Sequence, residues 1–178
     1  MKKLILSYFI VAIFLSCSST QQQNVIENKT LHYTSLKDFA DSGNILPLHS
    51  GVISEQPAKL KIAVEQVGGD NETVIKSLQQ KEIIWTVYSV YSLTDIDTLT
   101  VIAAPYNKGI SDESKSVSLT TNRKEALKVL KFIAKTDDLK ALWNADGLTP
   151  SPVFDSIKSV DVAGNTFADF QLAKENIF

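Results

Sequence analysis

The chain has few of the residues from which most recognisable enzyme sites are built. It has one cysteine, Cys17, and two histidines, His32 and His49, among 178 residues. A single cysteine cannot form an intramolecular disulfide or a thiolate metal cluster. The histidines lack the close spacing that identifies zinc-binding motifs. We therefore interpret them as surface or turn residues and predict neither a metal nor a cofactor.

The common catalytic and nucleotide-binding motifs are also missing. There is no Gly-x-Ser-x-Gly elbow, no His-Glu-x-x-His, no phosphate loop ending in Gly-Lys-Ser or Gly-Lys-Thr, and no Gly-x-Gly-x-x-Gly. These absences favour a non-catalytic protein. An enzyme whose site is assembled from residues distant in sequence stays open as the alternative.

The sequence has no excess of basic residues. The 18 lysines and arginines include Lys2 and Lys3, and the remaining 16 are outnumbered by 20 acidic residues, which gives residues 17–178 a net charge of −4. Nucleic-acid binding depends on neutralising phosphates with positive charge. The sequence therefore predicts no nucleic-acid partner.

The amino-terminal segment has the pattern of an export signal. Lys2 and Lys3 precede a run of twelve mostly apolar residues from Leu4 to Leu15. Two positive charges, a short apolar segment and a small residue are typical of a bacterial signal peptide. A membrane-spanning helix needs about 20 apolar residues. We therefore predict that residues 1–16 are a signal peptide and not a transmembrane helix.

Ser16 and Cys17 follow directly on this run. The segment resembles the lipobox of bacterial lipoproteins, with Phe14 where that family usually has leucine. The resemblance covers residues 1–20 and implies that Cys17 receives a diacylglycerol, that cleavage precedes it, and that the new amino terminus is acylated, for example with palmitate. In enterobacterial lipoproteins, an aspartate directly after the lipidated cysteine retains the protein at the inner membrane. This chain has Ser18 at that position, which favours the outer membrane. An ordinary secretory signal with a chance cysteine is the alternative.

The rest of the chain divides into a tether and one domain. Residues 17–30 are polar and without a sustained period, so we predict a flexible tether, whose end-to-end distance would be roughly 20 Å. Residues 31–178 are long enough for a single domain with its own core.

For this domain we predict an α+β fold with an antiparallel sheet. The segment at about 83–106 contains two β-prone stretches on either side of the turn sequence TDID, a pattern that indicates a central hairpin. The segment at about 123–135 has apolar side chains at helical spacing. This pattern indicates an amphipathic helix packed on one face of the sheet. Residues 59–65 alternate like a half-buried strand. Gly164 and Asn165 suggest a closing hairpin.

Four aromatic residues are candidates for partner binding. On a strand, Trp85 and Tyr91 would share one face and Tyr88 would lie on the other. An open aromatic face would suit a protein or a sugar, whereas two covered faces would make these residues core. Trp143, near a predicted helix end, is a similar candidate.

These observations predict a lipid-anchored binding or accessory protein of the bacterial cell envelope, which reaches the membrane through Cys17 and recognises a protein or another envelope component. Small inhibitors and immunity proteins of the envelope are one type that fits. The alternative is an envelope hydrolase whose site is not visible as a motif.

Overall fold

The computed structural model describes residues 31–43, 45–66, 71–147 and 149–175. The predicted signal peptide, the lipidation site Cys17 and the tether lie outside these residues. The described elements, in chain order, are α1 (Leu36–Asp41), β1 (Gly51–Glu55), β2 (Ala58–Glu65), α2 (Glu72–Leu93), β3 (Thr98–Asn107), β4 (Ile110–Ser111), β5 (Val117–Asn122), α3 (Arg123–Ala134), α4 (Pro152–Ile157) and α5 (Val160–Lys174), with 3₁₀ turns at Glu113–Lys115 and Leu139–Leu142.

The strands form one mixed sheet. β2 pairs with β1 in an antiparallel way and with β3 in a parallel way, and β3 pairs antiparallel with β4 and β5. The parallel pair is connected through α2, which packs across β2, β3 and β5. The predicted α+β fold is therefore confirmed, although the sheet is mixed and not wholly antiparallel.

The predicted central hairpin at 83–106 is wrong in its first half. Residues 83–93 belong to α2, a helix of 22 residues, and only Thr98–Asn107 is a strand. The error has a physical cause. Helix α2 is buried on several sides, so its β-branched and aromatic residues pack in the core, and this packing outweighs their preference for strands. No Gly or Pro interrupts the helix after its cap, where the Asn71 side chain accepts from the Val74 N–H.

Helix α3 agrees with the prediction. It spans Arg123–Ala134 and begins with a reciprocal capping box between Asn122 and Glu125. Its buried residues join the same core as α2 and the inner face of the sheet. α3 therefore packs on the face of the sheet that α2 covers.

The predicted hairpin at Gly164 is wrong, because Val160–Lys174 is the helix α5. Ala163, Thr166, Phe170 and Ala173 are buried at helical spacing, and α5 packs against α2 and α3. Helical packing at these positions overrides the turn preference of the Gly-Asn pair.

Candidate functional site

A groove lies beside the end of β2, and we call it the β2-edge groove. It has a volume of about 420 Å³ and is lined by the loop Pro47–His49, the segment Ala63–Glu65, Leu78 and Glu82 of α2, and Tyr106 of β3. The parallel register brings Glu65 opposite Tyr106. Residues far apart in sequence therefore meet at one edge of the sheet.

This edge of β2 has no strand partner among the described residues. The pairing with β1 ends at Gly51 and Lys61, and the Ala63 N–H donates to Ser50 Oγ at 3.2 Å. The Gln66 N–H points the other way and donates to the Tyr106 carbonyl at 2.9 Å. Because backbone groups alternate along a strand, the Glu65 N–H faces the groove.

The mouth of the groove is aromatic and apolar. The His49 and Tyr106 rings stack with centroids 4.5 Å apart and planes inclined by 22°. His49 adopts a left-handed backbone conformation with φ of 65°, which non-glycine residues adopt infrequently. Leu48 beside it is 85% exposed. An exposed leucine next to an aromatic stack can bury apolar surface against a partner.

Two carboxylates give the groove a negative wall. Glu65 is exposed at the end of β2, and Glu82 is half-buried on α2. Lys81 Nζ lies 3.7 Å from Glu82 Oε1, so one of the two carboxylates has a neighbouring cation. Within the described residues, no group of three or more His, Asp or Glu side chains is arranged to hold a metal ion. The groove is thus suited to a partner that carries positive charge.

Tyr88 and Tyr91 lie in the core, 0% and 1% exposed. The Tyr88 hydroxyl donates to the Ala126 carbonyl at 3.1 Å and the Tyr91 hydroxyl to the Thr121 carbonyl at 2.7 Å. Burial raises the pKa of both phenols well above its usual value. They act as neutral donors that fix α2 to α3 and β5, in agreement with the core interpretation.

Trp85 and Trp143 are half-buried and lie together. Their ring centroids are 5.7 Å apart, and both pack on Phe154 of α4. The Trp85 indole N–H donates to the Ile45 carbonyl at 3.0 Å, just before the loop that lines the groove. Trp85 therefore supports this loop. Direct partner binding by Trp85 and Trp143 stays a prediction.

The two histidines have different surroundings. His32 Nε2 lies 3.1 Å from Asp95 Oδ2 at the surface, whereas His49 stacks on Tyr106. They do not line the same groove. Sequence patterns missed Leu48 and Tyr106, because an exposed leucine in a loop and a tyrosine at a strand end have no distinguishing period.

In the part of the chain that the structure describes, no helix is long and apolar enough to span a membrane. Comparison with known proteins found no matching family model, no similar curated protein and no similar solved structure.

Proposed function

We propose that this chain is a lipid-anchored binding protein of the bacterial cell envelope that holds an extended segment of a protein partner in the β2-edge groove. The observation that carries the proposal is the edge of β2 at residues 63–65, which has no strand partner within the described part of the chain and lies beside the exposed Leu48 and the His49–Tyr106 stack. An extended peptide that adds to a sheet edge gains affinity from backbone hydrogen bonds and specificity from side-chain contacts.

The groove also indicates the chemistry of the segment. The Glu65 N–H offers a donor to a partner carbonyl, and Leu48 offers an apolar contact. The exposed Glu65 carboxylate favours a lysine or arginine in the same segment, since opposite charges speed association and exclude acidic competitors. We therefore propose an extended partner segment that combines an apolar residue with a basic one.

The location in the envelope rests on the amino-terminal sequence. Lys2, Lys3, the apolar run and Cys17 support a lipid anchor. Two or more acyl chains hold a protein stably at a membrane, whereas one chain holds it only marginally. Inhibitors and immunity proteins of the envelope are one class that would combine such an anchor with a protein-binding groove. The alternative, a hydrolase, would have to use His49, Glu65 and Glu82, which line the β2-edge groove. His32 lies elsewhere, beside Asp95.

We expect groove substitutions to abolish partner capture without unfolding the protein. Leu48→Asp places a charge at the exposed mouth, and Glu65→Pro removes a donor that faces the groove while leaving the hydrogen bonds to β3 intact. Pull-down from envelope extract with the full chain should recover a discrete partner, and each variant should reduce recovery at least tenfold. Leu172→Asp, at an exposed leucine of α5, is the matched control.

The control should retain the partner, and circular dichroism should show that all three variants are folded. Glu65→Gln separates the two roles of Glu65, because it removes the charge and keeps the backbone donor. Equal recovery by wild type, Leu48→Asp and Glu65→Pro would contradict the groove as the binding site.

We expect Cys17→Ser to abolish the lipid anchor. Serine has no thiol to receive the diacylglycerol, so the variant should lose labelling by a fatty-acid probe and accumulate as unprocessed or soluble protein. Metabolic labelling followed by fractionation of cells measures both effects, with Ser18→Ala as the control. Labelling that Cys17→Ser leaves unchanged would contradict the anchor.

A further inference from the structure

Helix α3 carries a row of lysines on its solvent side. Lys124, Lys128, Lys131 and Lys135 follow one another at intervals of four, three and four residues, and we call them the lysine stripe. This spacing places the three helical lysines on one side, with Lys135 at the C-cap. Lys124, Lys131 and Lys135 are exposed and Lys128 is half-buried. The buried residues of α3, which are Ala126, Val129 and Leu130, point into the core.

The lysine stripe costs the helix stability. Like charges three or four residues apart destabilise a helix. Glu125 does little to offset this, since its carboxylate accepts from the Thr121 hydroxyl at 3.0 Å and the Asn122 N–H at 3.1 Å.

Among the described residues, the one ion pair of the stripe joins Lys131 Nζ to Asp137 Oδ2 at 3.2 Å. At the end of α3, Lys135 Nζ donates to the Phe132 carbonyl at 2.8 Å and lies over the ring of the same residue. Lys124 and Lys128 make no ion pair with any described residue, so the fold gains little from these two charges.

A shallow groove of about 460 Å³ runs beside the stripe. Lys124, Lys128 and Lys131 line it together with the apolar side chain of Leu127. Asp97 and Asp137 also lie along it, and Asp137 is already engaged by Lys131, a contact that lowers the pKa of its carboxyl. Next to the stripe, Phe132 is 51% exposed. Ammonium groups around an apolar strip suit a surface that is anionic outside and apolar beneath.

We propose that the lysine stripe docks on the anionic phospholipid headgroups of the bilayer to which the chain is anchored. Charge complementarity carries this assignment, since a concentrated positive surface occurs on a chain whose residues 17–178 have a net charge of −4. Each basic side chain near an anionic bilayer adds to the attraction between the protein and the membrane. Docking would orient the domain and leave the β2-edge groove, on another part of the molecule, for the partner. This proposal shares only the membrane location with the proposed function.

Lysine footprinting of the full chain tests the proposal. The chain is mixed with nanodiscs of phosphatidylcholine alone or with about one-third phosphatidylglycerol, labelled with an amine-reactive reagent, and mapped by mass spectrometry. We expect labelling of Lys124, Lys131 and Lys135 to fall at least fivefold in the anionic discs, while Lys76, an exposed lysine of α2, stays unchanged. Salt at 1 M, where the Debye length is about 3 Å, should restore the labelling.

A charge-reversed chain makes the test specific. Lys128→Glu with Lys131→Glu should remove the protection of the remaining Lys124 and Lys135, and circular dichroism confirms that this variant is folded. Equal labelling of the stripe in neutral and anionic discs, or protection that survives the double substitution, would overturn the proposal. Either result leaves partner capture by the groove unaffected, so the failures of the two proposals are distinguishable.

Discussion

Arg123→Met is expected to lower the free energy of unfolding by about 3 kcal/mol. The Arg123 guanidinium donates to the carbonyls of Tyr91, Thr94 and Ile96, the latter two at 2.6 and 3.0 Å, and lies 5.2 Å from the centre of the Tyr91 ring. Hydrogen bonds from charged groups contribute about 1.5–3 kcal/mol each. Partial access of water to the carbonyls reduces the sum. Methionine fills similar space but leaves the end of α2 and the following turn without these donors.

Thermal and urea unfolding measure this loss. For a domain of this size, about 3 kcal/mol corresponds to a decrease in melting temperature of about 6–12 °C. Lys124→Met, the same type of substitution at the exposed neighbouring residue, should change stability by less than about 0.5 kcal/mol. If Arg123→Met lowers the free energy of unfolding no more than Lys124→Met does, the hydrogen bonds of Arg123 do not stabilise the end of α2 as we expect.

Phe154→Ala is expected to destabilise the fold by about 3–5 kcal/mol. Phe154 is fully buried, and its ring lies 4.6 Å from Trp85, 5.4 Å from Trp143 and 6.4 Å from Tyr88. Removing a buried phenylalanine loses its transfer free energy and leaves a cavity. Part of this loss comes from the ring contacts, which contribute about 0.5–1.5 kcal/mol for each aromatic pair.

Unfolding measurements combined with tryptophan fluorescence test this effect. Trp85 and Trp143 are the two tryptophans of the chain, and both pack on Phe154, so water entering the cavity should shift their emission to longer wavelength. Phe132→Ala, at a phenylalanine that is 51% exposed, is the matched control and should alter neither emission nor stability to a similar degree. Unchanged stability and emission in Phe154→Ala would mean that α4 does not hold the two tryptophans in place.

Local sequence patterns were sufficient to identify a helix or strand where one side of that element faces water. The alternation along β2 and the amphipathic period of α3, with its capping box, both identified the correct element. In such elements the contrast between apolar and polar positions reports the period directly. The predicted α+β fold rested on the helix at about 123–135, which is correct, and on the hairpin at about 83–106, whose first half is helical.

The same patterns failed for α2 and α5. Ile83, Val87 and Val90 are buried, and so are Ile84, Tyr88 and Tyr91 on a second side of α2, so the contrast between sides is lost. The high β propensity of this stretch was then misleading. In α5, the Gly164-Asn165 pair suggested a turn, while the buried Ala163, Phe170 and Ala173 set the helical period.

The β2-edge groove could not be predicted, because it depends on the parallel pairing of β2 with β3. That pairing brings Tyr106 to Glu65 and to the loop of His49. With residues 83–93 predicted as a strand in an antiparallel hairpin with the residues of β3, nothing in the sequence indicated that β2 pairs in parallel with β3. Tyr88 and Tyr91, two of the candidates for partner binding, are buried and donate to backbone carbonyls. Partner binding by Trp85 and Trp143 stays a prediction.

Site-specific photo-crosslinking in cells tests the groove most directly. A photoreactive amino acid at position 48, in the full chain, should yield one discrete adduct with a protein partner, and the crosslinked partner peptide should contain a lysine or arginine. The same amino acid at position 172 should not give that adduct. No adduct from position 48, or the same adduct from both positions, would contradict the account.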